Sequence, residues 1–424
     1  MKKLTIIIIS ILWAASFGMQ AQTAKVRYLQ VEETGQTTRI IMDEQTPVVI
    51  KTELNTNNQL VVNVYKGSDL IASYPEGTKI YTKSADQYRI YVEGSKFFRN
   101  AGPTFFVGGN TPWNSWNDFG GGFNATWWDN HFKALHDLGI NGSRVWIVCN
   151  GDGAVKLNTD GTVKSISDKF WTDLDQFFAI AEKHEIYIMA AMMSFDCTKT
   201  GNTDRDNWVA MIKNTNSIND FINKYILKFV NRYKDNPYLF SMDLCNEPDW
   251  CFESESIPWE NLSNLFAREA AAIHENSKIL VTVGMAMTKY NADMSGYNGN
   301  KVSNAFLQKL YNNPNAYLDY YSPHHYGWET QWFKSPFFVT PSQWMTDTSK
   351  PIVVGECSAK SADGHTLAED YIWAYSKGYG GVFPWTTNGV DANGGLPDVT
   401  KGVNGFYTWL ATPQSSQSPL PLSP

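Results

Sequence analysis

From Phe105 onward the hydrophobic pattern alternates between short continuous apolar runs and longer amphipathic stretches. The runs Phe105 to Gly109, Arg144 to Cys149, Ile186 to Met192, Leu239 to Cys245, Ile279 to Val283, Leu318 to Ser322, Ile352 to Gly355 and Gly381 to Pro384 have the length and continuity of strands buried on both faces. Between and after them, helical spacing covers Trp127 to Leu138, Phe170 to Lys183, Ile218 to Tyr233, Trp259 to Glu275, Val302 to Tyr311, Ser342 to Met345, Thr366 to Tyr375 and Val403 to Leu410. Eight strand-then-helix units in succession predict a (β/α)8 TIM barrel, because a doubly wound sheet usually has fewer strands.

Before Thr104 the pattern differs. Short β-type runs at Arg27 to Val31, Thr38 to Met42, Val48 to Thr52 and Gln59 to Tyr65, broken by Thr34-Gly35 and Asn55 to Asn58, predict a small antiparallel β module. Lys2 and Lys3, the apolar stretch Leu4 to Phe17 and the small and polar residues Gly18 to Gln22 have the three-part form of a secretory signal, too short to span a membrane. The expected organisation is an export signal over 1–21, the β module over 22–87, the barrel over 88–412 and a disordered Ser/Pro/Gln-rich tail over 413–424. A secreted or periplasmic monomer is the corresponding expectation, with no membrane association after cleavage.

Composition changes the picture in two respects. A net charge of -7 with 18% charged residues and no basic run is a poor footprint for nucleic acid. The 16 tryptophans are many, and flat aromatic faces serve a core or a sugar ring equally well. Five cysteines, Cys149, Cys197, Cys245, Cys251 and Cys357, are too few and scattered for a disulfide scaffold; Cys197 and Cys251, on loops after neighbouring strands, are the candidate bridge.

Candidate chemistry gathers where strands end, which in a barrel is the mouth of the site. Glu247 follows the fourth run in Asn246-Glu247-Pro248, Glu356 closes Pro351 to Gly355, Arg144 lies on the second, His324 and Tyr326 follow the sixth, and Trp385 follows the eighth. Two carboxylates so placed are the pair that glycosidic cleavage requires, one to protonate the departing oxygen and one to attack the sugar or activate water. Loop tryptophans Trp113, Trp116, Trp250, Trp328 and Trp332 are candidates for stacking on sugars. His324 and His325 suggest no metal, since neighbours on a strand point to opposite sides and no third ligand is spaced for them. Asn158-Thr159-Asp160-Gly161 reads as a hairpin turn rather than a calcium loop, and Gly120-Gly121-Gly122 as a flexible loop rather than a nucleotide fingerprint.

Taken in order, Gly139-Ile140-Asn141-Gly142-Ser143-Arg144, Leu244-Cys245-Asn246-Glu247-Pro248, His324-His325-Tyr326, Val354-Gly355-Glu356 and Trp385 make the stretch Ile90 to Leu410 resemble glycoside hydrolase family 5. The resemblance implies that Phe97 to Pro103 form a hairpin closing the bottom of the barrel, and that no cofactor is used. It implies Glu247 as acid and base, Glu356 as nucleophile, Arg144 and Tyr326 as the groups keeping Glu356 ionised, Asn246 on the sugar 2-hydroxyl, His324 beside the acid, and Trp385 as the floor. Where many members carry a histidine at the end of the third strand, this chain has Met192-Met193-Ser194-Phe195-Asp196. The implied activity is retaining endo-hydrolysis of a β-1,4-glycan, mannan ahead of cellulose or mixed β-glucan. An exo-acting β-glycosidase and a non-catalytic glycan-binding protein are the alternatives.

Overall fold

The computed structural model describes residues 20–21, 26–33, 36–43, 46–100, 102–153, 155–360 and 364–412. The export segment expected over 1–21 lies outside them except for Gln20–Ala21, which pair with Ile50 and Val49; the tail over 413–424 lies outside them too. One compact unit ends at Tyr88 and a second begins at Arg89.

Among its described residues the first unit is built of β-strands, with one tight turn at Ala85–Gln87. Tyr28–Glu33 pairs antiparallel with Gln36–Ile41 and Lys79–Lys83, and Val48–Leu54 pairs with Leu60–Lys66, which pairs with Asp69–Pro75. Val26, Leu29, Met42, Val48 and Val64 form its core. The last two strands, Asp69–Pro75 and Lys79–Lys83, are absent from the sequence-based reading because their alternation is weak and both are largely uncovered.

The second unit is an eight-stranded parallel barrel. Its strands are β1 (Phe106–Asn110), β2 (Gly142–Trp146), β3 (Tyr187–Ala191), β4 (Leu239–Asn246), β5 (Leu280–Met285), β6 (Ser322–Pro323), β7 (Val353–Val354) and β8 (Gly381–Val382). The sheet runs β6-β5-β4-β3-β2-β1-β8-β7, and parallel bridges Tyr321↔Ile352 and His324↔Glu356 close β6 onto β7. β6 is shorter than the expected Leu318 to Ser322 and displaced toward the mouth, because Tyr321 and His324 pair only as single bridges on the β7 side.

Several helices combine an amphipathic stripe with a capped start. Asn124 accepts from the Trp127 N–H, Ser167 from Phe170 and Thr366 from Glu369. The stretch expected as one helix over Ile218 to Tyr233 is helical throughout but contains a wide turn at Ile222–Ile226. The element expected at Ser342 to Met345 is a single tight turn, Pro341–Gln343, and the last helix is longer than expected, Leu396–Ala411. Asp160 and Gly161 do sit in the turn of a hairpin, joining Val155–Leu157 to Val163–Ile166. The Gly120 segment is a defined turn whose N–H donates to Asp173 at 2.8 Å.

Lys96–Arg99 pairs with Ile90–Glu93 and Gly102–Thr104 at the bottom of the barrel. From it Phe97, fully buried, meets the rings of Phe106, Phe240 and Tyr320 at 5.1 to 6.4 Å. The bottom is thus plugged with aromatic rings, leaving the opposite end, where the strands finish, to polar chemistry.

The expected Cys197–Cys251 bridge is not formed. Cys149, Cys197, Cys245, Cys251 and Cys357 are all free and buried. The two thiols have separate partners: the Cys197 thiol faces the Cys149 carbonyl at 3.8 Å, and Cys251 accepts from the Thr198 hydroxyl at 3.2 Å. Burial raises the Cys197 thiol, which withholds the thiolate that oxidation needs. A thiol titration in denaturant without reductant should therefore count all five cysteines, and the native chain should react slowly. A count of three would establish a disulfide.

Candidate active site

Arg144 leaves β2 pointing into the barrel and is 0% exposed. Burying a guanidinium demands acceptors on every side, and four residues supply them. Nε donates to Asp243 Oδ2 at 2.9 Å, Nη1 to Glu356 Oε1 at 2.6 Å and to Asn110 Oδ1 at 3.2 Å, and Nη2 to Asn246 Oδ1 at 2.8 Å. Asn110 in turn spans to the carbonyls of Gly355 and Phe383, fixing β1 against the ends of β7 and β8.

Asp243 and Asn246 both reach Arg144 although they are three residues apart on β4, where a regular pleat would place them on opposite faces. The register against β5 shifts between them: Asp243 pairs with Thr282 and Asn246 with Gly284. The extra residue re-aims Asn246 inward. Gly284 completes the arrangement, since a Cβ there would stand 2.7 Å from Asp243 Oδ2 and 2.8 Å from Arg144 Nη2.

Glu247 follows with φ +52°, an uncommon conformation for a residue with a side chain, held by its N–H on the Gly284 carbonyl at 2.7 Å. The short helix Pro248–Glu253 starts directly after it with proline at its first position. This turn swings the carboxyl over the mouth. Its Oε1 lies 2.9 Å from His324 Nδ1 and its Oε2 accepts from the Trp250 indole at 3.1 Å. Glu356 stands opposite, its Oε2 accepting from the Tyr326 hydroxyl at 2.9 Å. One oxygen of each glutamate and a ring nitrogen of His324 lie within 4.8 Å of one another. Those three donors are the one group among the described residues with the composition of a metal site, but the Arg144 cation already neutralises Glu356, so a metal ion would meet a fixed positive charge.

Among the other candidates, Trp385 is 6% exposed and packs with Trp113 and Trp146 at 5.8 and 5.7 Å between ring centres. Trp116, Trp328 and Trp332 are exposed, and Trp250, Trp328 and Trp332 follow one another at 6.4 and 6.1 Å. Met287, Lys289, Gly296, Trp328, Trp332 and Phe333 line an open pocket of about 420 Å³. His325 turns away from the mouth toward Phe337, as alternation along a strand requires. At the end of β3 stands Ser194, whose hydroxyl is 3.4 Å from the Asn246 amide nitrogen and donates to Asp196 at 2.8 Å.

Sequence reasoning passed over Asn110, Asp243, Ser194 and Trp146. Asn110 carried the signal that marked Glu356, a polar residue closing an apolar run. Asp243, a lone charge inside Leu239 to Cys245, carried a signal of its own, since an unpaired charge is not buried in a strand. Ser194 and Trp146 carried none.

The two carboxyls share a dry site but not their partners. Burial pushes Glu247 up to about 7, opposed by the Arg144 charge and the Trp250 indole. Burial raises Glu356 as well, against the expectation from sequence that Arg144 and Tyr326 would hold it low. Both do pull it down, and the loss of water outweighs them. The ion-paired glutamate is Glu356, at 2.6 Å from Arg144, so the proton the pair retains belongs on Glu247. Burial also brings His324 down to about 4, leaving it neutral between the glutamates.

These shifts have a stability consequence. A carboxyl at about 7 in the fold and 4.5 when unfolded binds its proton more tightly in the native state. Its contribution is complete below pH 4.5 and is lost as pH rises through 7. Glu247→Gln, which cannot ionise, is expected to melt near wild type at about pH 5 and increasingly above it by about pH 8. A melting-temperature difference that does not change with pH would refute this assignment.

A family model described as Cellulase (glycosyl hydrolase family 5) matches residues 106–389. A mannan endo-1,4-beta-mannosidase of Mytilus edulis is 25% identical over 349 residues, covering 76% of this chain and 94% of that protein. Among solved structures, the beta-1,4-mannanase of the sea hare Aplysia kurodai superposes with a TM-score of 0.66 at 25% identity, over 74% of this chain and 95% of its own. The endo-1,4-beta-mannanase of Eisenia fetida superposes with a TM-score of 0.67 at 22% identity, over 75% and 94%. The family match begins at the first residue of β1, ends beyond β8 and takes in both glutamates; the chain belongs to glycoside hydrolase family 5 and is a glycoside hydrolase.

Proposed function

We propose that this chain is a secreted, retaining endo-β-1,4-mannanase in which Glu356 is the nucleophile and Glu247 the acid and base. The observation that carries the reading is the pair of glutamates in one mouth, one ion-paired to Arg144 at 2.6 Å and the other raised to about 7 without a cation bonded to it. In the first step Glu356 attacks the anomeric carbon while Glu247 protonates the departing oxygen; in the second Glu247 takes a proton from the water that releases the sugar. Arg144, bonded to the Asn246 carbonyl oxygen, leaves that side chain's NH2 to donate, which suits the sugar 2-hydroxyl. Trp385 forms the floor, and Trp113 supports it from behind.

The choice of mannan rests on the relatives named above and on the similarly named enzyme of Cryptopygus antarcticus, 25% identical over 331 residues. Endo action is supported by the line from half-buried Trp250 to the exposed Trp328 and Trp332, which leads away from the acid and offers sugars a surface beyond the cleaved bond. Trp116 offers a similar face on the opposite loop. Secretion is carried by Lys2, Lys3 and the apolar stretch Leu4 to Phe17.

A reducing-sugar assay on mannan, glucomannan, cellulose, mixed β-glucan and xylan tests the substrate; mannan cleaved no faster than cellulose would transfer the reading to a cellulase. Glu356→Ala is expected to be inactive on every substrate and to recover with azide as an α-glycosyl azide. Glu247→Ala should lose about 10² to 10⁴-fold on polysaccharide yet retain activity on aryl glycosides, whose leaving groups need little protonation. Full activity of Glu247→Ala on mannan would end the assignment of the acid.

The stereochemistry follows from the oxygens within 4.8 Å, a spacing close to the ~5 to 5.5 Å of a double displacement and too short for an intervening water. Proton NMR of the earliest product should show the β anomer, and an initial α anomer would exclude the retaining route.

A further inference from the structure

Tyr326 begins the loop after β6, and its uncharged hydroxyl donates to Glu356 Oε2 at 2.9 Å. Its backbone is held by Glu329, three residues on. The Glu329 side chain accepts the Tyr326 N–H at 3.1 Å, and the Glu329 N–H returns a bond to the Tyr326 carbonyl at 2.9 Å. Such reciprocal caps usually lie in water. Glu329, however, is 0% exposed, although its neighbour Trp328 is 45% exposed. Burial drives the Glu329 carboxyl up to about 9, with Asp249 and Glu247, which face it from the turn after β4, adding to the effect. Asp249 itself stands at about 8 for the same reason and accepts the N–H groups of Ala286 and Met287 after β5. Near neutral pH Glu329 is therefore a fixed, uncharged acceptor that places no further negative charge beside Glu247.

We infer that Glu329 is a positioning residue: by clamping the Tyr326 backbone from inside the protein, it keeps the Tyr326 hydroxyl on Glu356 while the exposed loop around Trp328 handles substrate. This rests on the reading of Glu356 as the nucleophile, but its test needs no substrate. A short turn with one face in water frays readily, and the displacement of Tyr326 by an ångström would break a 2.9 Å bond to the carboxylate.

The test is the titration of Glu356, followed by carboxyl 13C NMR on the full chain with Glu356→Gln identifying its signal. Tyr326→Phe deletes a hydrogen bond to the anion and should raise the Glu356 midpoint by about one pH unit. Glu329→Ala should give the same upward shift, and the double variant no more than either alone, because both remove one interaction. Glu329→Gln keeps an uncharged acceptor oxygen and should return the midpoint to that of wild type. Should Glu329→Ala fail to fold, Glu329→Asp withdraws the acceptor by one methylene and serves in its place. A wild-type midpoint in the Ala or Asp variant, with only a lower melting temperature, would make Glu329 structural and overturn the inference; so would a Gln variant shifted as far as Ala. A chain that titrates as described but cleaves no mannan would refute the functional reading alone.

Discussion

Everything at the mouth of this barrel is arranged around one buried cation. Arg144 satisfies Asp243, Glu356, Asn246 and Asn110 at once, tying β1, β2, β4 and the residues beyond β7 into one polar cluster. Lysine could not replace it, since a compact ammonium lacks the planar spread of donors that reaches four residues. Removing the guanidinium would strand two buried carboxylates, a loss of roughly 3 to 5 kcal/mol when one partner of a buried pair is deleted. Around it the local features fall into place. Gly284 leaves room for it, the shifted register of β4 brings Asp243 and Asn246 to it, and the main-chain bond from Glu247 to Gly284 sets the second glutamate beside it.

Chemical difference between the glutamates comes from partners rather than from depth. Both side chains are largely withdrawn from water, Glu247 16% exposed and Glu356 6%, and desolvation raises both. What separates them is that the guanidinium bonds to Glu356 directly, whereas Glu247 meets a neutral imidazole and an indole N–H. The same dryness extends to Asp249 and Glu329 at the back of the loops, where carboxyls held neutral serve as main-chain acceptors. Burial thus has two effects around the mouth: it raises the Glu247 carboxyl, and it leaves the Asp249 and Glu329 carboxyls uncharged while they accept main-chain N–H groups.

The tryptophans divide by the same logic of access. Trp113, Trp146 and Trp385 are packed against one another, giving a stiff wall, while Trp116, Trp328 and Trp332 keep open faces. Under the proposed function, the stiff wall suits the sugar at the cleaved bond and the open faces suit its neighbours.

What the sequence determined by itself was everything that depends on periodicity and on local chemistry. Eight apolar runs alternating with amphipathic stretches pointed to one architecture, and the polar residues just beyond those runs, Glu247, His324 and Glu356, with Arg144 on one of them, were visible because a polar or charged group set on a buried strand or at its end has few other uses. Tertiary structure alone decided which of them meet. Asp243 joins Arg144 only because β4 carries an extra residue against β5, a register that periodicity of two cannot express. The Cys197 and Cys251 thiols share a region and yet point to different partners, which spacing along the chain does not record. Most of all, the proton's place on Glu247 rather than Glu356 depends on a 2.6 Å contact between residues 212 positions apart, and on water being excluded from both. Electrostatic energy varies with distance and surroundings, and neither is a property of the chain until it has folded.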